Sequence, residues 1–162
     1  MKRSFLIVVG LLAMLAGPVA AQTPVGVNAL VENSVQTRSV GESGWRPSVV
    51  DGTVRQADAI VTGADSRLLI RLRDQSVLTV GANAALNVDR FVIDTEAEPA
   101  GVLVSMVRGA FRFVSGSRGA ERERVAFRTP TATIGIRGTI IEAAVGTEAL
   151  ELLDGEAGVA VP

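Results

Sequence analysis

The sequence predicts an all-β protein: a single domain of short stacked strands, β-solenoid-like or sandwich-like, with two similar halves. Three observations predict it. Beyond the N-terminus no stretch keeps a helical spacing of apolar residues, Val, Ile, Thr and Gly are abundant, and turn-forming clusters interrupt the chain about every 8–12 residues. Aromatic residues make up only 4% of the chain. The core is therefore expected to be thin and aliphatic, which suits stacked short strands better than a deep ligand-holding barrel.

At the N-terminus Lys2 and Arg3 precede an apolar run over residues 5–15, Gly17 and Pro18 break it, and Val19-Ala20-Ala21 offers the small residues a signal peptidase reads. Residues 1–21 are expected to be a signal peptide cleaved after Ala21, leaving a domain over 22–162 in the periplasm or outside the cell. The apolar run falls short of the ~20 residues of a membrane span. Membrane contact is expected only through an uncleaved signal segment. The chain has no cysteine, so burial alone must hold the fold. Roughly 140 residues after cleavage form one ordinary domain, able to bury about two thirds of the surface its unfolded chain exposes.

Along the remaining chain, residues 22–26 read as a loose leader, and residues 27–40 alternate weakly before the turn at Gly41-Glu42-Ser43-Gly44. Trp45, the single tryptophan, reads as a plug over one end of the core rather than a ligand-stacking residue. Asp51-Gly52 is the strongest short hairpin signal. Ile60-Val61-Thr62 leads into a Gly63-Ala64-Asp65-Ser66 turn, after which Leu68, Ile70 and Leu72 alternate with Leu69, Arg71 and Arg73 and return through Leu78 and Val80 as a half-buried hairpin. Short strands around Leu86, Val88, Phe91 and Ile93 follow, then an acidic loop over 94–101. Residues 102–107 form a run expected to be covered on both faces. Phe111 and Phe113 share one side of the next strand. A mixed-charge loop over 118–124 and a last strand pair around the Asp154-Gly155 turn complete the reading. Residues 60–66 are echoed by residues 127–133, each an apolar residue, a Thr, a turn former and a later Ser or Thr, which suggests two repeated supersecondary units.

Residues 129–142 are the stretch around which the chain is organised. Thr129 and Pro130 disfavour helix, small and aliphatic residues alternate, and Gly135 and Gly138 bracket Arg137, which together read as a kinked, buried strand. The run Thr129-Pro130, Ala132 and Gly135-Ile136-Arg137-Gly138-Thr139 resembles the hallmark of the FecR domain, a periplasmic module of bacterial iron-transport regulators and other envelope proteins. Ala57-Asp58-Ala59-Ile60-Val61-Thr62-Gly63 with Asp65-Ser66 is similar to the family's earlier element. The hairpin over residues 72–78, Gly109 with Phe111 and Phe113, and Asp154-Gly155-Glu156-Ala157 also fit in order. The family usually places Gly where this chain has Gln75, which puts the register of that hairpin in question.

The resemblance implies a non-enzymatic protein-interaction or envelope-sensing module working in signal transduction. In the iron-transport regulators such a domain receives a signal from an outer-membrane transporter and passes it through a membrane helix to a cytoplasmic anti-sigma segment. Here only Met1 to Ser4 precede the apolar run, so no cytoplasmic regulator is expected, nor a further signalling module after Pro162. An envelope protein is the expected partner, with pairing at a sheet edge as the mode.

Other functions have less support in the residues. No basic stripe appears, which argues against nucleic acid. The absence of His, Cys and Tyr removes the commonest general base and the commonest transition-metal ligands, and no cofactor is expected. Asp58, Asp65 and Asp74 are the available carboxylates for acid–base work, but acids in turns usually cap backbone amides. Asp58 with Asp65 and Ser66 offers oxygens for Ca²⁺ without the regular acid spacing of a calcium loop. Arg137 either turns inward to buried carbonyls or to an acid such as Glu142 or Asp58, the preferred position, or stays exposed to catch a partner's carboxylate. The alternative to an interaction module is a carrier for an apolar or glycan ligand, whose mark would be a dry aliphatic pocket.

Overall fold

In a computed structural model that describes residues 22–92, 101–116, 124–146 and 150–160, every regular element is a strand. In chain order they are β1 (Pro24–Glu32), β2 (Val35–Arg38), β3 (Arg46–Pro47), β4 (Thr53–Arg55), β5 (Ala59–Thr62), β6 (Arg67–Leu72), β7 (Val77–Val80), β8 (Ala85–Val92), β9 (Gly101–Val114), β10 (Arg124–Arg128), β11 (Thr133–Val145) and β12 (Leu150–Ala160). The stretch over residues 1–21 expected to be a signal peptide, with its expected cleavage site after Ala21, and most of the expected acidic and mixed-charge loops lie outside the described residues.

All twelve strands join one sheet, and β9 is its hub. Along one edge β9 pairs first with β8 and then with β7; along the other it pairs with β10, in parallel, and then with β11. Two arms leave the first edge, β8-β5-β2-β3 and β7-β6-β1-β4. The chain steps between these arms at short corners: residues 33–34 between β1 and β2, 63–66 between β5 and β6, and 81–84 between β7 and β8. Because the arms fold towards one another, Gln22 before β1 reaches the Val40 carbonyl after β2 at 3.3 Å. The result is a curled half-barrel with one lined face.

Alternation explains the lining. Leu68, Ile70 and Leu72 of β6 and Leu78 and Val80 of β7 are buried, with exposed or half-buried residues between them. On β9 the buried set is Val102, Val104 and Met106, then Phe111 and Phe113, so the parity changes around Gly109. Gly109 has φ +101°, a conformation L side chains rarely adopt. The bend it permits keeps both halves of a long strand facing one core. Phe127 of β10 stacks on Phe111 at 4.4 Å between ring centroids and meets Phe113 edge-on at 5.6 Å. This cluster closes the inside of the curl.

Several local expectations change. Of the residues read as a leader, 24–26 already belong to β1, where Gly26 pairs with Val54 and Leu72. Asp51-Gly52 makes a turn, with Gly52 N donating to Val49 O at 3.0 Å, but not a hairpin. The strands on either side are two and three residues long and pair with β2 and β1 instead. That turn docks on Asn28, whose side-chain amide donates to Val49 O at 3.1 Å. Residues 102–107 alternate, and Val107 is exposed rather than covered. Trp45 is 39% exposed and lies under the Arg38 guanidinium, 4.7 Å from the ring centroid, instead of plugging the core.

Candidate functional site: corners and a changeover strand

The corners between the arms stack into a hydrogen-bonded column. Gly63 N donates to Ser34 O at 2.8 Å, and Ser34 N donates to Ser66 Oγ at 3.1 Å. Ser66 Oγ in turn donates to Ala64 O at 2.9 Å, and the Asn33 side-chain amide donates to Asp65 O. On the other side, Thr62 Oγ1 donates to Gly81 O at 2.7 Å and accepts from Ala84 N at 2.9 Å. Gly81 N reaches Ala110 O at 2.9 Å. Thus Thr62 and Ser66, both buried, satisfy backbone groups where the ladders are interrupted. Asp65 and Asn33 hold positive φ, 52° and 59°, as turn residues of these types readily do.

Asp58 sits at a different corner, between β4 and β5. Its Oδ2 accepts from Arg55 N at 2.9 Å, while Ala57 N and Val88 N tie the same corner to β8 through Ala57 N→Val88 O (2.6 Å) and Val88 N→Asp58 O (3.0 Å). The residue is fully buried, and its Oδ1 has no hydrogen-bond partner among the described residues. Asp65 is at the other end of β5. Asp74 lies in the β6–β7 hairpin, where it accepts from Ser76 N (2.9 Å) and Ser76 Oγ (2.7 Å). β5 and β6 separate Asp65 from the other two, so the three acids do not share a cleft. Among the described residues, no group of three or more Asp or Glu side chains converges in a way that could hold a metal ion.

Thr129 and Pro130 form the β10–β11 turn. Buried Thr129 accepts from Ala132 N at 3.0 Å through Oγ1, and its own N–H donates to Ala132 O at 2.8 Å; Pro130 is exposed. The two sequence echoes therefore place a buried Thr at a strand end each time, with different partners. Thr62 reaches the next corner, whereas Thr129 closes its own turn.

Beyond it, β11 changes partner. Residues 133–136 pair with β10, and residues 140–145 pair with β9. Opposite β12, four residues of β11, Arg137, Gly138, Thr139 and Ile140, face a single position between Gly155 and Ala157. Arg137, Gly138 and Thr139 are this changeover; their side chains lie outside what is described. Gly135 lies just before it, between Ala126 of β10 and Gly158 of β12. Buried positions run Ile134, Ile136, then Ile141, Ala143 and Val145. The three extra residues reset the pleat so that both halves of β11 serve one core. Ile140, at 38% exposure, faces away from it. Glu142, one proposed acid for Arg137, is bound by Arg112 at 2.9 Å.

One open pocket of about 330 Å³ is lined by Pro24, Val27, Thr53, Leu72, Arg71 and Arg73, among others. Two arginines border it, so it is no dry aliphatic cavity.

The FecR protein family model matches residues 58–158, from the first corner acid to the changeover strand and its neighbour β12. The chain belongs to the FecR family. The FecR match covers well over half of the 162 residues, and β1–β4, which precede it, complete the two arms. A crystal structure of a candidate anti-sigma factor from Parabacteroides distasonis is similar, with a TM-score of 0.49 and 18% identity over 64% of this chain and 47% of that one. The likeness thus spans about half of the length of that protein. No curated protein matches the sequence.

Proposed function

We propose that this FecR-family chain is a non-enzymatic interaction and sensing module of the bacterial envelope. It is exported by residues 1–21 and works as a domain over 22–162 in the periplasm or outside the cell. Family membership supports a role in signal transduction. The observation that carries the mode of action is β12. Among the described residues this eleven-residue strand pairs only with β11, while the other outer strands, β3 and β4, are two and three residues long. A long strand with one free edge is a template for another strand, and β-augmentation supplies affinity through main-chain hydrogen bonds.

The test is site-specific photo-cross-linking in the native envelope, with the cross-linker at Glu151 or Glu156 on β12 and at Arg46 or Arg55 on the short edges. One envelope protein, captured in near-equal amount from β12 positions alone, is the expected result. Equal capture from β3 and β4, or none from a folded chain, would reject edge pairing at β12. Intact-mass measurement of the exported chain is expected to show Gln22 as its first residue.

A further inference from the structure

We infer that the strand docking on β12 is cationic, alternating Arg or Lys with apolar residues; the inference rests on the edge-pairing reading above and adds the chemistry of the partner. A row of residues runs straight across the sheet towards that edge: Thr79 on β7, Arg112 on β9, Glu142 on β11 and Asp154 on β12 are successive register partners. Arg112 Nε donates to Glu142 Oε1 at 2.9 Å. Glu142 therefore has a cation on one side and a register neighbour of its own sign on the other.

Like charges directly opposite in a ladder disfavour pairing, and opposite charges favour it. A cation beyond Asp154 completes the alternation. The rest of β12 asks for the same, since residues 150–160 hold Glu151, Asp154 and Glu156 and no Lys or Arg. The remaining positions set the apolar half of the pattern. Leu150, Leu152, Ala157 and Val159 stand opposite the buried Val145, Ala143, Ile136 and Ile134, so the next strand continues an apolar row there. A second copy of this chain is a poor occupant. Antiparallel β12–β12 pairing centred on Gly155 sets Asp154 against Glu156, like charges that disfavour the ladder.

The test uses the chain with its signal removed and fluorescent peptides of about eight residues, the length of an ordinary strand. One alternates Arg with Val, one alternates Glu with Val, and one is the Arg peptide with a central proline that cannot complete a ladder. Anisotropy is expected to show binding of the Arg–Val peptide alone, weakened at least about tenfold in a Glu151→Gln, Asp154→Asn, Glu156→Gln variant and by high salt, which screens exposed charges. Hydrogen exchange is expected to slow over β12 and not over β3 or β4. Melting curves of the variant establish that it is folded, and the salt series on the unaltered chain tests the charge rule without it.

Equal binding of the Arg and Glu peptides at β12 would overturn the cationic partner and leave edge pairing standing. Exchange already slow over β12 in the free chain would show the edge covered by another segment of the same molecule, such as residues 117–123, and overturns the inference. Failure of every peptide to protect β12 also overturns it; the envelope cross-linking then decides separately whether any partner pairs there.

Discussion

Thr62 and Ala84 are bonded to each other twice: Thr62 N donates to Ala84 O at 3.0 Å, and Ala84 N donates to Thr62 Oγ1 at 2.9 Å. The hydroxyl donates its own hydrogen bond to Gly81 O at 2.7 Å. A Thr62→Val replacement keeps the shape and leaves two backbone groups, the buried Ala84 N–H and the half-buried Gly81 carbonyl, without that partner. At about 1–3 kcal/mol for the buried group and about 1 kcal/mol for the half-buried one, a loss of roughly 2–4 kcal/mol is expected in urea unfolding. Thr62→Ser keeps the oxygen and should lose less than half as much. A valine variant as stable as the parent would remove the corner column from any account of the fold.

Gly109 lies so close to the same corner that a Cβ there would sit 2.4 Å from the Ala84 Cβ and 2.6 Å from its Cα. Backbone atoms cannot swing aside as a flexible side-chain end can. Overpacking of about 1–3 kcal/mol adds to about 1–2 kcal/mol for a side chain at positive φ. Gly109→Ala is expected to destabilise by roughly 3 kcal/mol, read as a lower denaturation midpoint with little change in slope.

Gln75 shows the opposite opportunity. It holds φ 72° at the end of the β6–β7 turn, where Gln75 N donates to Leu72 O at 3.1 Å and Leu72 N to Ser76 O at 2.8 Å. This is a turn followed by a left-handed residue, a position glycine fills without strain. Relief of about 1–2 kcal/mol is partly offset by the freer unfolded chain. Gln75→Gly should stabilise by about 0.5–1 kcal/mol, raising the melting temperature. A fall would mean that the glutamine side chain contributes more than the strain costs.

Glu42 is held below the usual glutamate range, first by the hydrogen bond from the Ser39 backbone N–H and then by Arg46. A carboxylate with a depressed folded pKa adds stability above its unfolded pKa and loses it as pH falls through the folded value. Glu42→Gln is therefore expected to melt earlier than the parent at about pH 7, and the two curves should converge below about pH 3. Because the group is fully exposed, the gap at neutral pH should be small and shrink in salt. A gap that persists in acid would assign the effect to something other than the charge.

What the sequence discloses divides by distance along the chain. The β6–β7 hairpin is legible because Leu68, Ile70, Leu72, Leu78 and Val80 alternate across a short turn, and the side of the pleat shared by Phe111 and Phe113 is legible for the same reason. Even without glycine at position 75 the hairpin keeps register, Leu68 opposite Val80 and Ile70 opposite Leu78. Asp51-Gly52 misleads because its signal is local, whereas β3 and β4 are too short to pair with each other and are claimed by β2 and β1. The motif residues Thr62 and Ser66 stand out in the sequence, but their partners Ala84 and Ser34 lie 22 and 32 positions away, and no local pattern points to them. Trp45 reads as core by residue type alone. The Arg38 guanidinium beside it supplies a surface alternative that packing preference does not anticipate.

The hub position of β9 also sets an order of events. Among the described residues the two arms meet in the strand ladder only along one of its edges, and β9 begins at Gly101. A chain emerging N-terminus first holds two half-built flaps, each with an open flank, until this late strand arrives to join them. Most contacts that it makes are far apart in sequence, the regime in which folding is slow. The vulnerable interval for this protein is therefore the wait for β9, when a holdase or a slow-unfolding escort matters most and misjoined flaps are the characteristic accident.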